Sequence, residues 1–285
     1  MTEISLPKHS TKGWGHDDWG RGAMLIVTDG AVDLPEELLR SKLVRQVPGQ
    51  VSDDAGPLHL NGQDFWSLLR HGRYPSTSPP TVSALMAAYE RPGPVIALHV
   101  SGQLSATVQR AHEARSRIGS AVSVIDTGSL SVGAGLMVAA VHLLAHDESM
   151  PSLVAVAGTL PGRVHTFALV QEVDALRQSD RSGLLPSAHL SHNHPLVLSV
   201  RGRAVPLAQP RQRSQALAEL SRYVGTCSGA VPTAWALGHG DASDLDEVVR
   251  ALTDDLGCPP QFVSFMDPTV GVHLGPDSLV VGVLS

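Results

Sequence analysis

The sequence predicts a two-domain α/β protein, in which a three-layer α/β/α unit with a parallel sheet precedes a two-layer α+β unit. Three observations carry that expectation. The chain has 285 residues, of which 42% are apolar, so it is too long for one ordinary domain and has material for two cores. From Met24 onward, short apolar runs alternate with helix-length segments, the pattern of a parallel sheet covered on both faces. After Glu148-Ser149-Met150-Pro151 the alternation loosens, and two strands joined by a tight turn follow. Residues 1–23 mix Gly, Trp and charges without an apolar period and read as a flexible tail, leaving 24–150 as the first domain and 151–285 as the second.

The elements follow in order. Met24-Leu25-Ile26-Val27-Thr28 reads as a buried strand stopping at Asp29-Gly30, and Asp33 is placed to cap a helix with Pro35 and Glu36 in its first turn. Helices are expected over 63–70, 81–89, 104–118 and 132–145, and strands over 95–100 and 122–125. In the second half, helices are expected over 153–160, 173–177, 214–224 and 245–256, the last capped by Ser243 and stopped by Gly257. Strands are expected over 164–170, 196–200, 204–207, 234–238, 262–265 and 279–284, with Arg201-Gly202-Arg203 as the hairpin turn.

Composition narrows the function. A net charge of −6 provides no basic field for nucleic acid or an acidic membrane. The N-terminus lacks a signal-peptide pattern and no apolar run reaches membrane-spanning length, so a soluble cytoplasmic protein without stable membrane insertion is expected. Cys227 and Cys258 fit neither a disulfide framework nor a Cys-x-x-Cys motif, which agrees with a reducing compartment.

Four polar clusters interrupt the apolar elements where strands end or helices begin: Thr28-Asp29-Gly30, Thr77-Ser78, Ser101 to Thr107, and Asp126-Thr127-Gly128-Ser129. Open parallel sheets bind ligands outside the carboxyl ends of their strands, where helix N-termini present unpaired N–H groups to anions. The hydroxyl-rich turn Ser76-Thr77-Ser78-Pro79-Pro80 is therefore expected to wall a site for an anionic small ligand, and Ser105 to lie in the first turn of its helix. The competing explanation is that these hydroxyls only cap helices.

The order of the clusters adds information. Val27 to Pro35, Thr77-Ser78-Pro79-Pro80, Val100 to Thr107, Val124-Ile125-Asp126-Thr127 with Gly133-Ala134-Gly135, Arg211 to Leu217, and His273-Leu274-Gly275-Pro276 resemble, in that order, signature segments of the DegV family of fatty-acid-binding proteins. The resemblance runs from about Met24 to Leu284. It implies a long-chain fatty acid, such as palmitate or oleate, held between two domains without any other cofactor or metal. Its carboxylate would bond to Thr77 and Ser105, with His273, Ser101, Asp29, Thr28 and Ser78 in the surrounding site. It further implies a non-catalytic carrier that presents the acyl chain to a separate fatty-acid kinase for phospholipid synthesis, with Arg211 as a phosphate or partner contact.

The chain departs from the family pattern at Gly30 and Gly102, where serines are usual, and at Ala106 and Asp277, where glycines are usual. Its Ser179-Asp180-Arg181 and Asn193-His194-Pro195 stand where the family has Gly-Gly-Arg and Ile-Lys-Pro. These changes admit a DegV-like interaction protein that has lost lipid binding. Two further readings exist. Ser105, His273 and Asp29 or Asp126 could form a hydrolase or acyltransferase triad, although Gly-x-Ser-x-Gly is absent. His189, His192 and His194 have metal-ligand spacing without an acidic or Cys partner. Gly133-Ala134-Gly135 lacks the third glycine of a dinucleotide fingerprint and is expected to mark a helix break, and His99 is expected to be a satisfied interior histidine.

Overall fold

The computed structural model describes residues 24–58, 62–118, 121–179, 194–228 and 232–285. The first half contains β1 (Leu25–Asp29), α1 (Glu36–Leu39), β2 (Val44–Val47), β3 (Gln50–Asp53), β4 (Gly56–Pro57), α2 (Gly62–Arg70), β5 (Ser76–Ser78), α3 (Val82–Tyr89), β6 (Val95–His99), α4 (Thr107–Ile118), β7 (Val122–Asp126) and α5 (Ser131–Leu144). The second half contains α6 (Met150–Thr159), a 3-10 turn (Leu160–Gly162), β8 (Val164–Val170), α7 (Val173–Ser179), β9 (Leu196–Arg201), β10 (Arg203–Ala208) and α8 (Arg213–Ser228). It continues through β11 (Ala234–His239), α9 (Leu245–Leu256), β12 (Phe262–Phe265), α10 (Pro268–Leu274) and β13 (Leu279–Leu284).

The expected parallel sheet is present, in the order β2-β1-β6-β7. Leu25 and Val27 turn one face of β1 to α3 and α4, where they meet Leu85, Tyr89, Ala111 and Ala114. Ile26 turns the other face to α5, as the two-residue period of a strand requires. The second sheet has six strands in the order β10-β9-β8-β13-β11-β12, mostly antiparallel, with β11 and β12 parallel. Its Leu279, Val281 and Val283 face α8 and α9, while Val280 and Leu284 face α5.

α5 thus lies between the two sheets. Every residue from Ser131 to His142 is buried, as befits a helix that is apolar all round. The three-layer and two-layer units meet on this one helix, giving the order helix pair, parallel sheet, α5, second sheet, helix pair. A single apolar core consequently joins Ile26, Ile96 and Leu98 to Ala168, Leu198 and Val280.

Several local expectations need correction. Asp33 caps no helix: Pro35 occupies the N-cap of α1, and Asp33 is buried instead. Asp244, not Ser243, precedes α9; its side chain makes no cap bond because Arg213 holds both its oxygens. Gly133 and Gly135 break nothing, since α5 runs through them and they let neighbouring atoms approach its backbone. α4 begins at Thr107, so Ser105 stands before its first turn. The turn expected at Ser76 to Pro80 is a strand over Ser76–Ser78, because it pairs antiparallel with β3. Gly257 ends α9 as expected, with φ of 70°, and Gly202 forms the β9–β10 turn with φ of 78°.

Candidate functional site

Pairing of β5 with β3 places Thr77 opposite Val51 and Ser78 opposite Gln50. The segment leaving β5 is fixed by Arg110 of α4, which donates to the carbonyls of Pro79 at 2.7 Å and Pro80 at 3.0 Å. α10 packs against this small sheet. Gly49 makes that approach possible, for a Cβ there would stand 2.8 Å from Thr269 Cγ2. The result is a contact between Thr77 Oγ1 and His273 Nε2 at 3.0 Å, joining residues 196 positions apart. The imidazole tautomer decides which atom donates. Both residues are half-buried, so the pair remains within reach of a ligand.

Thr269 lies four residues before His273 and therefore on the same helix face. It lines a cavity of about 150 Å³ together with Gly49, Val51, Leu58, Phe65, Asp267 and Pro268. Because Val51 pairs with Thr77, this cavity of mixed polar and apolar lining adjoins the hydroxyl–imidazole pair.

Asp267 starts α10: its Oδ1 accepts from the Thr269 amide at 2.8 Å and the Thr269 hydroxyl at 2.6 Å. Its own amide donates to Asp33 Oδ1 at 2.7 Å, and Ser131 Oγ donates to Asp33 Oδ2 at 2.5 Å. Burial pushes the Asp33 carboxyl up to about 8, against the pull of those two hydrogen bonds. Burial likewise raises Asp267 above the usual carboxylate range, while the Thr269 bonds pull the other way.

The remaining expected site residues are placed differently. Ser105 Oγ is 2.8 Å from Thr107 Oγ1 and accepts from the Thr107 amide at 3.2 Å, the cap geometry that competed with ligand binding. Ser101 is buried; its hydroxyl donates to the Gly202 carbonyl and accepts from the Gln103 amide. Asp29 is also buried, with Oδ2 bonded to His99 Nδ1 at 2.9 Å and the Val100 amide at 3.0 Å, and Oδ1 to the Ala31 amide. Thr28 is wholly buried and its Oγ1 has no partner among the described residues. Ser78 is half-buried, its hydroxyl 3.5 Å from Gln50 Oε1. Arg211 is exposed immediately before α8, whereas the neighbouring Arg213 is engaged by Asp244, Gln171 and the Asp277 carbonyl. His99 is a satisfied interior histidine, since its second nitrogen meets Tyr89 Oη at 2.7 Å.

The Ser105, His273 and aspartate arrangement is not assembled. Ser105 is bonded to Thr107 and His273 to Thr77; Asp29 holds His99, and Asp126 accepts from the Gly102 and Gly128 amides. His189 and His192 lie outside the described residues, and among the described residues no group of His, Cys, Asp and Glu could hold a metal ion.

Three of the departures have local reasons, whereas nothing in the structure explains Ala106, and Asp180, Arg181 and Asn193 lie outside the described residues. A side chain on Gly102 would approach Asp126 Oδ2 to 2.9 Å. Asp277, in a usual glycine position, has φ of 56°, a region that aspartate tolerates better than most residues. A Cβ on Gly30 would lie 3.3 Å from Asp267 Oδ1. Arg110, Asp267 and Thr269 were not singled out from the sequence. Asp267-Pro268 was a readable helix start, an N-cap aspartate before an N1 proline.

Comparison with known proteins agrees with this architecture. The family model described as "Uncharacterised protein, DegV family" matches residues 23–285. A DegV domain-containing protein of Mycobacterium tuberculosis is 31% identical over 269 residues, covering 90% of this chain and 96% of the relative. Among solved structures, DegV of Bacillus subtilis, described as a fatty acid binding protein, superposes with a TM-score of 0.80 at 20% identity, covering 93% of this chain and 100% of its own. A stearic acid-binding protein of Eubacterium ventriosum superposes with a TM-score of 0.82 at 19% identity, covering 91% and 97%. The span of the family model and the identity to the mycobacterial protein establish that this chain belongs to the DegV family.

Proposed function

We propose that the chain binds a long-chain fatty acid, with the carboxylate at Thr77 and His273 and the tail entering the adjoining cavity. The observation that carries this reading is the Thr77–His273 contact of 3.0 Å beside a cavity that Val51, Leu58 and Phe65 help to line, in a chain whose structural neighbours include fatty-acid-binding proteins. Tail and head divide the energetics. Sixteen carbons, at about 0.8 kcal/mol per buried methylene, offer on the order of 10 kcal/mol before ordering costs. A carboxylate removed from water needs donors to stay ionised, and a threonine hydroxyl and an imidazole N–H are both suitable. Ser105 joins them when Thr107 donates to Ser105, which leaves the Ser105 proton for the ligand. Asp29 and Ser101 act behind the site, by holding the sheet end in place through their hydrogen bonds, and Thr28 is buried beside them.

The reading extends to a carrier role in the cytoplasm, in which a fatty-acid kinase phosphorylates the presented carboxylate. Exposed Arg211 offers that kinase, or the new phosphate, a guanidinium fork. No helix among the described residues is long and apolar enough to cross a membrane.

The test is extraction of the purified protein followed by lipid mass spectrometry. Near-stoichiometric acyl chains are expected, and none after exposure to palmitate and oleate would overturn the reading. Loaded protein mixed with a bacterial fatty-acid kinase and ATP is expected to yield acyl phosphate, trapped as the hydroxamate by hydroxylamine. Its absence, with the lipid still bound, would remove the carrier role alone.

A further inference from the structure

Thr77 and Ser105 stand on different segments, so their separation depends on how α4 sits against the chain that leaves β5. Arg110 spans the two. Its backbone amide donates to the carbonyl of Ala106, the residue after Ser105, at 3.0 Å. Its Nη1 donates to the carbonyl of Pro79 at 2.7 Å and to that of Pro80 at 3.0 Å, just beyond Thr77 in the chain. One residue thus ties the turn that carries Ser105 to the strand that carries Thr77.

The segment offers few other handles. Prolines have no N–H, so the carbonyls are the only polar groups that Pro79 and Pro80 present to a neighbour. The side chain of Thr81, next in the chain, is engaged in capping α3 through the Ala84 amide. Arg110 itself is half-buried, and Glu113, one turn further along α4, is paired with Arg117. The Arg110 guanidinium is therefore left to the two proline carbonyls.

We propose, on the fatty-acid reading above, that Arg110 is a positioning residue for the carboxylate site. By fixing Pro79 and Pro80 it holds the Thr77 hydroxyl within reach of both His273 and the ligand head. Arg110 acts through Thr77 and not on the hydrocarbon, so it sets the preference for a carboxylate over an uncharged head and leaves the contribution of the tail alone.

The test loads the full chain from an equimolar mixture of palmitate and hexadecanol, which share a tail and differ in the carboxyl, and reads the bound ratio by lipid mass spectrometry. The wild type should favour palmitate. Arg110→Met should lower the palmitate-to-hexadecanol ratio on the order of tenfold, as the loss of a well-placed hydrogen bond to a charged group does. In a Thr77→Ala background the same substitution should change the ratio little, because the two residues act as one unit. Should Arg110→Met fail to fold, Arg110→Gln decides the same question, since it keeps a donor but is too short to reach both carbonyls. A ratio unchanged from the wild type in a folded Arg110 variant, even with less lipid bound, would overturn the proposal and leave Arg110 a packing role. Effects of Arg110 and Thr77 that multiply in full would overturn it as well. Two outcomes on the wild type alone bear on the reading beneath: no bound lipid of either kind would overturn the fatty-acid reading, and equal amounts of the two would overturn its placement of the head.

Discussion

Thr77 and Asp33 illustrate two kinds of single-residue control. Thr77 contributes one hydroxyl to a half-buried polar pair, so Thr77→Ala should weaken fatty-acid binding by about 1–3 kcal/mol, read by titration calorimetry. Asp33 acts on the fold itself. Its folded carboxyl titrates near 8 against an ordinary value of 3.8, so across that window the native chain holds a proton that the unfolded chain has released. Stability contributed by this group is therefore full below about pH 4 and falls by about 1.4 kcal/mol per pH unit up to about pH 8. Asp33→Asn, which keeps two hydrogen-bonding atoms and cannot ionise, should flatten that decline in urea melts at pH 5 and pH 8. An undiminished slope would assign the decline to other groups. At this scale the sequence singled out Thr77 and His273 by motif, which the structure brings into contact, and His99 as an interior histidine, which its two partners bear out. It concealed Asp33 and Asp267, because the amide–carboxyl bond that defines them spans 234 positions.

At the scale of elements, α5 depends on small residues for its place. A Cβ on Gly133 would stand 2.1 Å from Thr166 Oγ1 and 2.5 Å from Ser129 Oγ, and those hydroxyls are themselves bonded at 2.7 Å. Gly133→Ala should accordingly cost about 1–3 kcal/mol through overpacking, despite alanine's better helix propensity, as a lower urea midpoint. A stabilised variant would show that sheet and helix can separate freely. The long apolar elements were legible because their period matches their burial. The strands β2 to β5 were not, since Arg45, Gln46, Gln50 and Ser52 dilute the apolar alternation and pairing alone makes them strands. The seven-residue α10 was missed although its Asp-Pro start was visible, because so short a helix has little period to display.

For the whole molecule, alternation and its loss after 151 identified the parallel sheet and the second sheet, but not that one helix serves both. That fact follows from burial on all sides of α5, which a sequence shows only as uninterrupted apolarity. A core continuous from Ile26 to Val280 should melt as a single unit. Differential scanning calorimetry is expected to give one transition with equal calorimetric and van't Hoff enthalpies, and two resolved peaks would refute it.

α5 also bears on exchange of the ligand. A helix gripped from both sides leaves no seam along which the halves could swing apart without tearing the core. On the proposed fatty-acid reading, release is expected to fall to the ribbon of β3, β4 and β5, whose side chains are half-buried or exposed, and whose fluctuations are cheap beside global unfolding. Lipid residence would then be a local property of this ribbon. A bound acyl chain should slow amide hydrogen exchange at Val51 and Thr77 while leaving the slowest amides of α5 unchanged.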